Sequence, residues 1–209
     1  MKKLYWLWWA AFALAAFLTS PAPTGESLKL FGNLAIGNYW DFNPALIAEW
    51  NAIGVLWLAF GATIWHERET GLPHGGWFLL GAFFFGAMAL LPYYALRRDD
   101  YVLEAPQTQV ARVLDHPALG WFLALAGAGL LGLGIFVGDW PAFVDLARRE
   151  SFVYVMSIDI CLLTLLLPLA AVRADMRRRG CWNAGRFAAY AAIPVVGPMF
   201  YLARRPPLA

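Results

Sequence analysis

Charge is scarce in this 209-residue chain. Only 14% of the residues are Asp, Glu, Lys or Arg, whereas a globular domain carries about 25%. A soluble surface needs more charge than this, so the composition excludes most soluble proteins. The formal net charge of +2 is too small to indicate nucleic acid as a partner. Hydrophobic residues make up 61% of the chain, a content that suits a lipid environment.

Reactive and metal-binding side chains are also few. Cys161 and Cys181 form no CxxC pair, and we interpret both as small apolar side chains without a disulfide. His66, His74 and His116 lie at the ends of apolar runs or in loops, where the axial ligand of a buried haem is not expected, although a peripheral pigment ligand stays open. No P-loop, G-x-S-x-G or H-E-x-x-H motif occurs. The sequence identifies no metal site, catalytic residue or cofactor, favours a non-enzyme, and leaves a pigment or a lipid open.

Six long apolar runs occupy most of the chain. A helix needs about 20 apolar residues to cross the hydrocarbon core of a bilayer. The runs that reach or approach this length are Leu4–Thr19, Pro44–Trp65, Gly75–Leu96, Pro117–Val137, Phe152–Val172 and about Ala184–Ala203. The 11 Trp and 8 Tyr suit the headgroup level of a membrane. The sequence therefore predicts an all-α, polytopic transmembrane bundle of about six helices, forming one integral membrane domain over residues 1–209.

Several local sequence features modify the helices that these runs predict. The first run is short, and we interpret it as a retained helix, with a cleaved secretory signal as the alternative. Pro92 predicts a kink near the end of the third run. The sixth run is interrupted at 194–198 by Pro194, Gly197 and Pro198. Trp140–Glu150 predicts a short amphipathic helix along the interface.

Small residues recur every four positions in the fourth run. The stripe consists of Gly120, Ala124, Ala128 and Gly132. Small side chains let helix backbones approach closely in a membrane, so the stripe predicts a contact with another helix.

Patterns in residues 1–98 recur in the same order in residues 117–205. His66-Glu67-Arg68 after the second run resembles Asp175-Met176-Arg177 after the fifth. Glu49 lies in the second run and Asp159 in the fifth, and the third and sixth runs both close on aromatic residues and an Arg pair. Three crossings are an odd number, so such a duplication predicts two inverted halves, an arrangement found in many transporters.

Six crossings also distribute the basic residues between two faces. One face would carry Lys29, Arg97, Arg98, Arg112 and the five arginines of residues 173–186, and the other Lys2, Lys3, Arg68, Arg148, Arg149, Arg204 and Arg205. Nine against seven is a weak preference for the first face being cytoplasmic.

Three polar side chains within the apolar runs are the candidate intramembrane site: Glu49, Asn51 and Asp159. An unpaired carboxylate in a span costs about 2.5–3.5 kcal/mol on insertion scales, so Asp159 should be protonated or meet a partner from another helix. A proton or ligand contact is one interpretation, and a structural hydrogen bond is the other. Glu49 lies close to a helix start, where a local structural role is the alternative. Asn51 is a natural interhelical hydrogen-bond donor.

A second candidate site lies in the basic loop after the fifth run. Arg177, Arg178 and Arg179 are candidates to bind an anionic lipid headgroup. A solvated loop that sets membrane orientation is the alternative. The adjacent Asp99 and Asp100 follow an Arg pair, which indicates charge neutralisation rather than acid–base catalysis.

The stretch 151–182 (SFVYVMSIDICLLTLLLPLAAVRADMRRRGCW) resembles a recurrent segment of a family of small cyanobacterial and chloroplast membrane proteins that share a domain of unknown function. The closing segment 197–207, LLPYYALR at 90–97 and Asn43-Pro44 are similar to that family too. The resemblance implies a photosynthetic-lineage membrane, either thylakoid or bacterial inner membrane, and it implies no reaction or catalytic residue.

Three functions follow as hypotheses. The first is an accessory or assembly factor in the pigment or lipid environment of a photosynthetic-type membrane, with membrane lipids and another membrane complex as its partners. The alternative is a small solute or proton-linked transporter that uses Glu49 and Asp159. A membrane-embedded enzyme acting on lipids comes third, because no cluster of polar groups converges within the predicted spans.

Overall fold

The structure is a computed structural model that describes residues 2–68, 75–98 and 102–208. His74, Asp99 and Asp100, which sequence analysis singled out, lie outside the described residues. The described part of the chain is all-α apart from an antiparallel ribbon of two two-residue strands, β1 (Glu67–Arg68) and β2 (Val102–Leu103). The helices are α1 (Lys2–Leu18), α2 (Gly25–Ala35), α3 (Pro44–Ile64), α4 (Gly75–Phe85), α5 (Ala87–Leu96), α6 (Gln109–Asp115), α7 (Pro117–Val137), α8 (Trp140–Arg149), α9 (Ser151–Arg178), α10 (Ala184–Ala192) and α11 (Val196–Arg204).

Three of these helices, α3, α7 and α9, are long and apolar enough to cross a membrane. Each of the first two has 21 residues, or about 32 Å at 1.5 Å rise per residue. Their first residues are prolines, which suit the first helical position, and a side chain caps each start. Asn43 accepts the backbone N–H of Ala45, and His116 accepts that of Ala118. The structure thus supports a membrane protein, as the composition predicts.

Helices α3 and α9 are parallel. Asn43, before α3, pairs through its side chain with the backbone of Asp139, and Glu150, before α9, accepts hydrogen bonds from Thr24 and Ser27. The helix starts and the loops around residues 24, 43 and 139 therefore share one end of the bundle, which we name end B. At the opposite end, end A, Arg205 binds both the carbonyl of Ala62 and the carboxylate of Asp175.

The segment predicted as the third span is a helical hairpin. It bends back at Gly86, whose φ of +51° lies in the left-handed region that favours glycine. The arms α4 and α5 are antiparallel: the Phe78 and Tyr93 ring centroids are 5.2 Å apart near the open end of the hairpin. Each arm has 10 or 11 residues, about 15 Å, which is half of a bilayer core. The prediction of a continuous span over Gly75–Leu96 is therefore wrong.

Pro92 lies inside α5 and does not break it. Proline cannot donate to the carbonyl four residues earlier, which here belongs to Met88. The indole N–H of Trp9 on α1 donates to that carbonyl at 3.1 Å. A neighbouring helix thus satisfies the carbonyl that Pro92 leaves open, and the predicted kink gives way to the turn at Gly86.

The segment predicted as the sixth span is also folded back. Helices α10 and α11 are joined at Ile193–Val195, beside the predicted interruption, and Val195 has a φ of +63°. The rings of Tyr190 and Tyr201 lie 5.7 Å apart across the two arms. A Cβ at Gly197 would collide with the carbonyl of Tyr190, so glycine is needed for this close approach.

These two hairpins correct the predicted architecture. In each predicted half, two helices that run between the ends, α1 and α3 or α7 and α9, are followed by a hairpin that returns to end A, so the second half starts from the same end as the first. The halves are therefore parallel and not inverted, as the shared direction of α3 and α9 requires. The described residues do not form six continuous spans.

The predicted helix contact of α7 is with α11. Gly120 packs against the backbone of Ala203 so closely that a Cβ would collide with it, and Gly127 faces Val195. Ala124 is buried between them. Ala128 is exposed, and nothing lies within 4 Å of a Cβ at Gly132, so the contacting stripe follows Gly120, Ala124 and Gly127 instead.

The amphipathic helix predicted over Trp140–Glu150 is present as α8, and it packs on α9 at end B. Asp139 caps it by accepting the backbone N–H of Ala142, and Pro141 occupies its first turn. A comparable short helix, α2, follows α1 at the same end, capped by Thr24.

Candidate functional site

Asp159 lies against the tip of the first hairpin. Its Oδ1 accepts the backbone N–H of Ala87 at 2.6 Å, and 8% of the residue is exposed. Ala87 is the first residue of α5, so the carboxylate also faces the positive end of that helix dipole. A Cβ at Gly86 would overlap the carboxylate. The predicted partner from another helix is therefore a backbone group from the other half of the chain.

Glu49, on α3, is near enough to Asp159 for the two carboxyl groups to interact electrostatically. The Ser157 hydroxyl, which is also close to Glu49, donates to the carbonyl of Val153 at 2.9 Å. The Oε2 atom of Glu49 is buried and has no hydrogen-bond partner among the described residues. The two predicted acids are thus within electrostatic range of each other.

Asn51 faces elsewhere. Its side-chain amide donates to the carbonyl of Ile47 at 2.8 Å, and it lies 3.4 Å from the hydroxyl of Tyr39. Positions 49 and 51 are about 200° apart around a helix, so the two side chains cannot share a face. The hydrogen bonds of Asn51 are local to end B rather than interhelical, and its role as a binding residue stays a prediction.

A buried charge cluster lies at end A. It consists of Asp115, Asp175, Arg179 and Arg205, whose side chains are at most 5% exposed. Arg179 binds Asp115 at 2.6 Å and Asp175 at 3.0 Å, and Arg205 binds Asp175 at 3.1 Å. Two carboxylates balance two guanidinium groups, as burial of charge requires.

This cluster removes Arg179 from the predicted headgroup site. The Arg179 guanidinium is 2% exposed and donates to two carboxylates and to the carbonyl of Pro206. Arg177 and Arg178 are exposed, and their role as headgroup ligands stays a prediction. The sequence does not distinguish Arg179 from Arg177 and Arg178, because Asp115, which binds Arg179, is 64 residues away along the chain.

The same three-residue arrangement occurs at end A in each half. Tyr93 donates to Glu67, and Arg97 pairs with Glu67 at 2.7 Å. Tyr201 donates to Asp175 at 2.6 Å, and Arg205 pairs with Asp175. The separations along the chain are 26 and 30 residues in both halves.

By this spacing Asp159 corresponds to Asn51, since each lies 16 residues before the acid of its triad. Glu49, which the sequence comparison paired with Asp159, is two residues away from the equivalent position. The spacing of acid, tyrosine and arginine is thus the signal that sequence analysis overlooked.

A cavity of about 360 Å³ opens at end A between α1, α5 and α9. Five cationic side chains line it: Lys2, Arg97, Arg173, Arg177 and Arg178. Its other lining residues are Tyr5, Tyr94, Leu169, Ala170 and Ala174, so no acidic side chain is among the described residues that line it. We name this cavity the basic cavity.

A π-helical segment of α9, Leu167–Val172, positions part of this lining. Pro168 lies in it and lacks the N–H of a regular helix turn. Such bulges are frequent at functional sites. The segment places Leu169 and Ala170 on the cavity wall directly before Arg173.

The described histidines and cysteines form no site of their own. His66 is buried beside the charge cluster with Nε2 unpartnered in the part of the chain that is described, and burial lowers its pKa. His116 caps α7. Within the described ranges no three His, Cys, Asp or Glu side chains converge as a metal site would require, and both cysteines are unpaired.

No known protein family, curated protein or solved structure matches this chain. The expected membership of a cyanobacterial and chloroplast family therefore stays a prediction.

Proposed function

We propose that the chain crosses the membrane four times, with two helical hairpins that enter from end A. Helices α1, α3, α7 and α9 supply the crossings. Three have the required length, and α1, at 17 residues, runs beside α9 from the basic cavity to Tyr154, whose hydroxyl is 2.6 Å from Thr19. The matching triads support an origin by duplication, with each half contributing two crossings and one hairpin.

This topology changes the predicted orientation. Of the 16 Lys and Arg residues, three lie at end B, namely Lys29, Arg148 and Arg149, and the other thirteen lie toward end A. Cytoplasmic loops carry the excess of Lys and Arg in membrane proteins. End A is therefore assigned to the cytoplasm.

Within this frame the protein acts as a small proton-linked carrier. The observation that carries this proposal is the carboxylate of Asp159, from one half, against the broken helix of the other half. Interrupted helices inside a membrane are tolerated where they are buried or line a pathway, and transporters use them. An ionisable residue inside a membrane domain is by default a functional candidate.

The chemistry of the tip links proton binding to hairpin movement. The bond from Ala87 to an ionised Asp159 is a charge-assisted hydrogen bond, roughly twice as strong as a neutral one. Protonation of Asp159 weakens this bond and frees the hairpin tip to move. Glu49 hands over or receives the proton, since its Oε2 has no hydrogen-bond partner among the described residues and Asp159 is within electrostatic range.

Reconstituted vesicles test the carrier proposal. Vesicles that contain a pH-sensitive dye are exposed in turn to amino acids, small carboxylic acids, sugars and monovalent cations. We expect at least one solute to move protons with the wild-type protein, and this movement to be lost in Asp159→Asn and reduced in Glu49→Gln. The matched control is Asp145→Asn, an exposed carboxylate on α8 at end B.

Proton movement that persists unchanged in Asp159→Asn contradicts the carrier proposal. Wild-type vesicles that respond to none of the solutes also count against it, provided that the protein is shown to be folded in the same vesicles.

The second candidate is the accessory role in the lipid or pigment environment of a photosynthetic-type membrane. The basic cavity favours its lipid component, since it faces the headgroup level in the proposed topology. Affinity purification in mild detergent tests this role. Recovery of another membrane complex with the protein supports it, and recovery of the bare protein counts against it.

A further inference from the structure

Five positive charges converge on the basic cavity from three separate helices. Lys2 comes from the start of α1, Arg97 from the end of α5, and Arg173, Arg177 and Arg178 from the end of α9. Like charges repel one another most strongly where water is partly excluded. Glu67 pairs with Arg97. No acidic side chain is among the described residues that line the cavity, so this lining favours an anion.

Aromatic rings and one carboxylate hold the guanidinium groups in place. The Arg97 guanidinium carbon lies 4.7 Å from the centre of the Tyr94 ring, while Nη1 binds Glu67 at 2.7 Å. The Arg177 guanidinium lies 4.8 Å from the centre of the Trp182 ring. Such contacts orient a cation before a ligand arrives and reduce the entropy cost of binding.

The shape of the cavity fits the polar part of a lipid. Its volume of about 360 Å³ is within the range of roughly 300–1,000 Å³ typical of ligand pockets. Arginine forks bind phosphate oxygens through paired hydrogen bonds. Leu169, Ala170 and the Tyr5 and Tyr94 rings supply an apolar side, which suits glycerol and the first carbons of acyl chains.

We propose that the basic cavity binds the phosphate group of an anionic membrane lipid through Lys2, Arg97, Arg173, Arg177 and Arg178. The site is formed by the ends of α1, α5 and α9, so the lipid joins the first hairpin to both neighbouring helices. The site is separate from Asp159 and does not depend on the carrier proposal.

Lipid binding to the purified full chain tests the site. The protein in a neutral detergent is titrated with phosphatidylglycerol or with zwitterionic phosphatidylcholine, and bound lipid is counted by native mass spectrometry. We expect preferential binding of phosphatidylglycerol. Each Lys or Arg contributes about 1 kcal/mol to the attraction of anionic lipid, so the double variant Arg177→Gln, Arg178→Gln should bind it about 30-fold more weakly.

The control is the double variant Arg148→Gln, Arg149→Gln. It removes the same charge from an exposed Arg pair at end B and should bind phosphatidylglycerol like the wild type. A second variant, Lys2→Gln on α1, should weaken binding about fivefold and covers the case in which the double variant fails to fold.

A competition experiment with glycerol 3-phosphate tells whether the bound phosphate group belongs to a lipid or to a free phosphate ester. Failure to displace phosphatidylglycerol supports a lipid, and displacement at a similar concentration supports a free phosphate ester in the same cavity. Equal weakening by the Arg177, Arg178 and Arg148, Arg149 variants overturns the proposal, since it would indicate general surface attraction. Unchanged binding in both cavity variants overturns it as well.

Discussion

The carboxylate of Asp159 occupies the space that a side chain at Gly86 would need. Asp159 lies in the first third of α9 in the second half, and Gly86 is the turning point of the hairpin in the first half. Asp159 accepts the backbone N–H of Ala87, the residue after this glycine, so α9 is in direct contact with the hairpin turn. The positive φ of Gly86 and the missing Cβ are both required for this contact.

Gly86→Ala should therefore destabilise the protein. The added Cβ collides with the Asp159 carboxylate, and alanine is strained at a φ of +51°. Backbone strain of this kind costs on the order of 1–3 kcal/mol before the collision is counted. We expect a lower apparent melting temperature in detergent, measured by the change in tryptophan fluorescence.

Gly129→Ala is the matched control for that change. Gly129 lies inside α7, where nothing is within 4 Å of an added Cβ. Alanine is favoured over glycine in a helix interior by about 1 kcal/mol, so this variant should melt at the same or a higher temperature. Equal melting temperatures for the Gly86 and Gly129 variants would show that Gly86 is not under the constraint described.

Substitutions at Asp159 should separate its structural role from its ionisable role. Asparagine keeps an oxygen that can accept the Ala87 N–H, whereas alanine removes the cap of α5. Loss of a helix cap costs about 1 kcal/mol, so Asp159→Ala should melt clearly below Asp159→Asn. Melting curves of both variants in the same detergent provide the comparison, and indistinguishable curves would contradict the capping role.

Hydropathy predicts the long helices of this chain well and the hairpins poorly. Pro44 and Pro117 mark helix starts, and the bounds of α3 and α7 follow the predicted runs closely. The run Gly75–Leu96 has the same length and apolar character, yet its direction reverses at Gly86. The length of an apolar run indicates an apolar environment but does not indicate whether the chain reverses its direction within it. A hairpin and a continuous span therefore have the same hydropathy pattern.

The candidate sites, like the helices, could be predicted from the sequence only in part. The cost of an unpaired carboxylate predicts that Asp159 needs a partner, and one is present. That the partner is the backbone of Ala87 could not be predicted, because it depends on the turn at Gly86. Lys2 and Arg97 were assigned to opposite faces by counting six crossings, and the hairpin brings them into one cavity.

Breaking the buried charge cluster should cost far more than breaking an exposed ion pair. Asp175→Asn leaves Arg179 and Arg205 facing only Asp115, and loss of one partner from a buried pair typically costs about 3–5 kcal/mol. Asp145→Asn breaks the exposed pair with Arg149, which is expected to cost less than about 1 kcal/mol. Chemical unfolding of both variants, followed by tryptophan fluorescence, provides the measurement. Equal losses would show that the buried cluster adds no particular stability.

Stability should fall as the pH drops below the ordinary pKa of histidine, because of His66. Burial lowers the pKa of His66 in the folded protein, so the neutral form is favoured there, while the unfolded chain takes up a proton below about pH 6.5. The unfolded state then binds more protons than the folded state, and stability rises with pH through this window. His66→Gln removes the effect. The difference in melting temperature between wild type and variant should be constant above about pH 7 and change in favour of the variant below pH 6.5. Parallel curves down to pH 5 would mean that His66 is protonated equally in both states, which its burial beside Arg179 and Arg205 argues against.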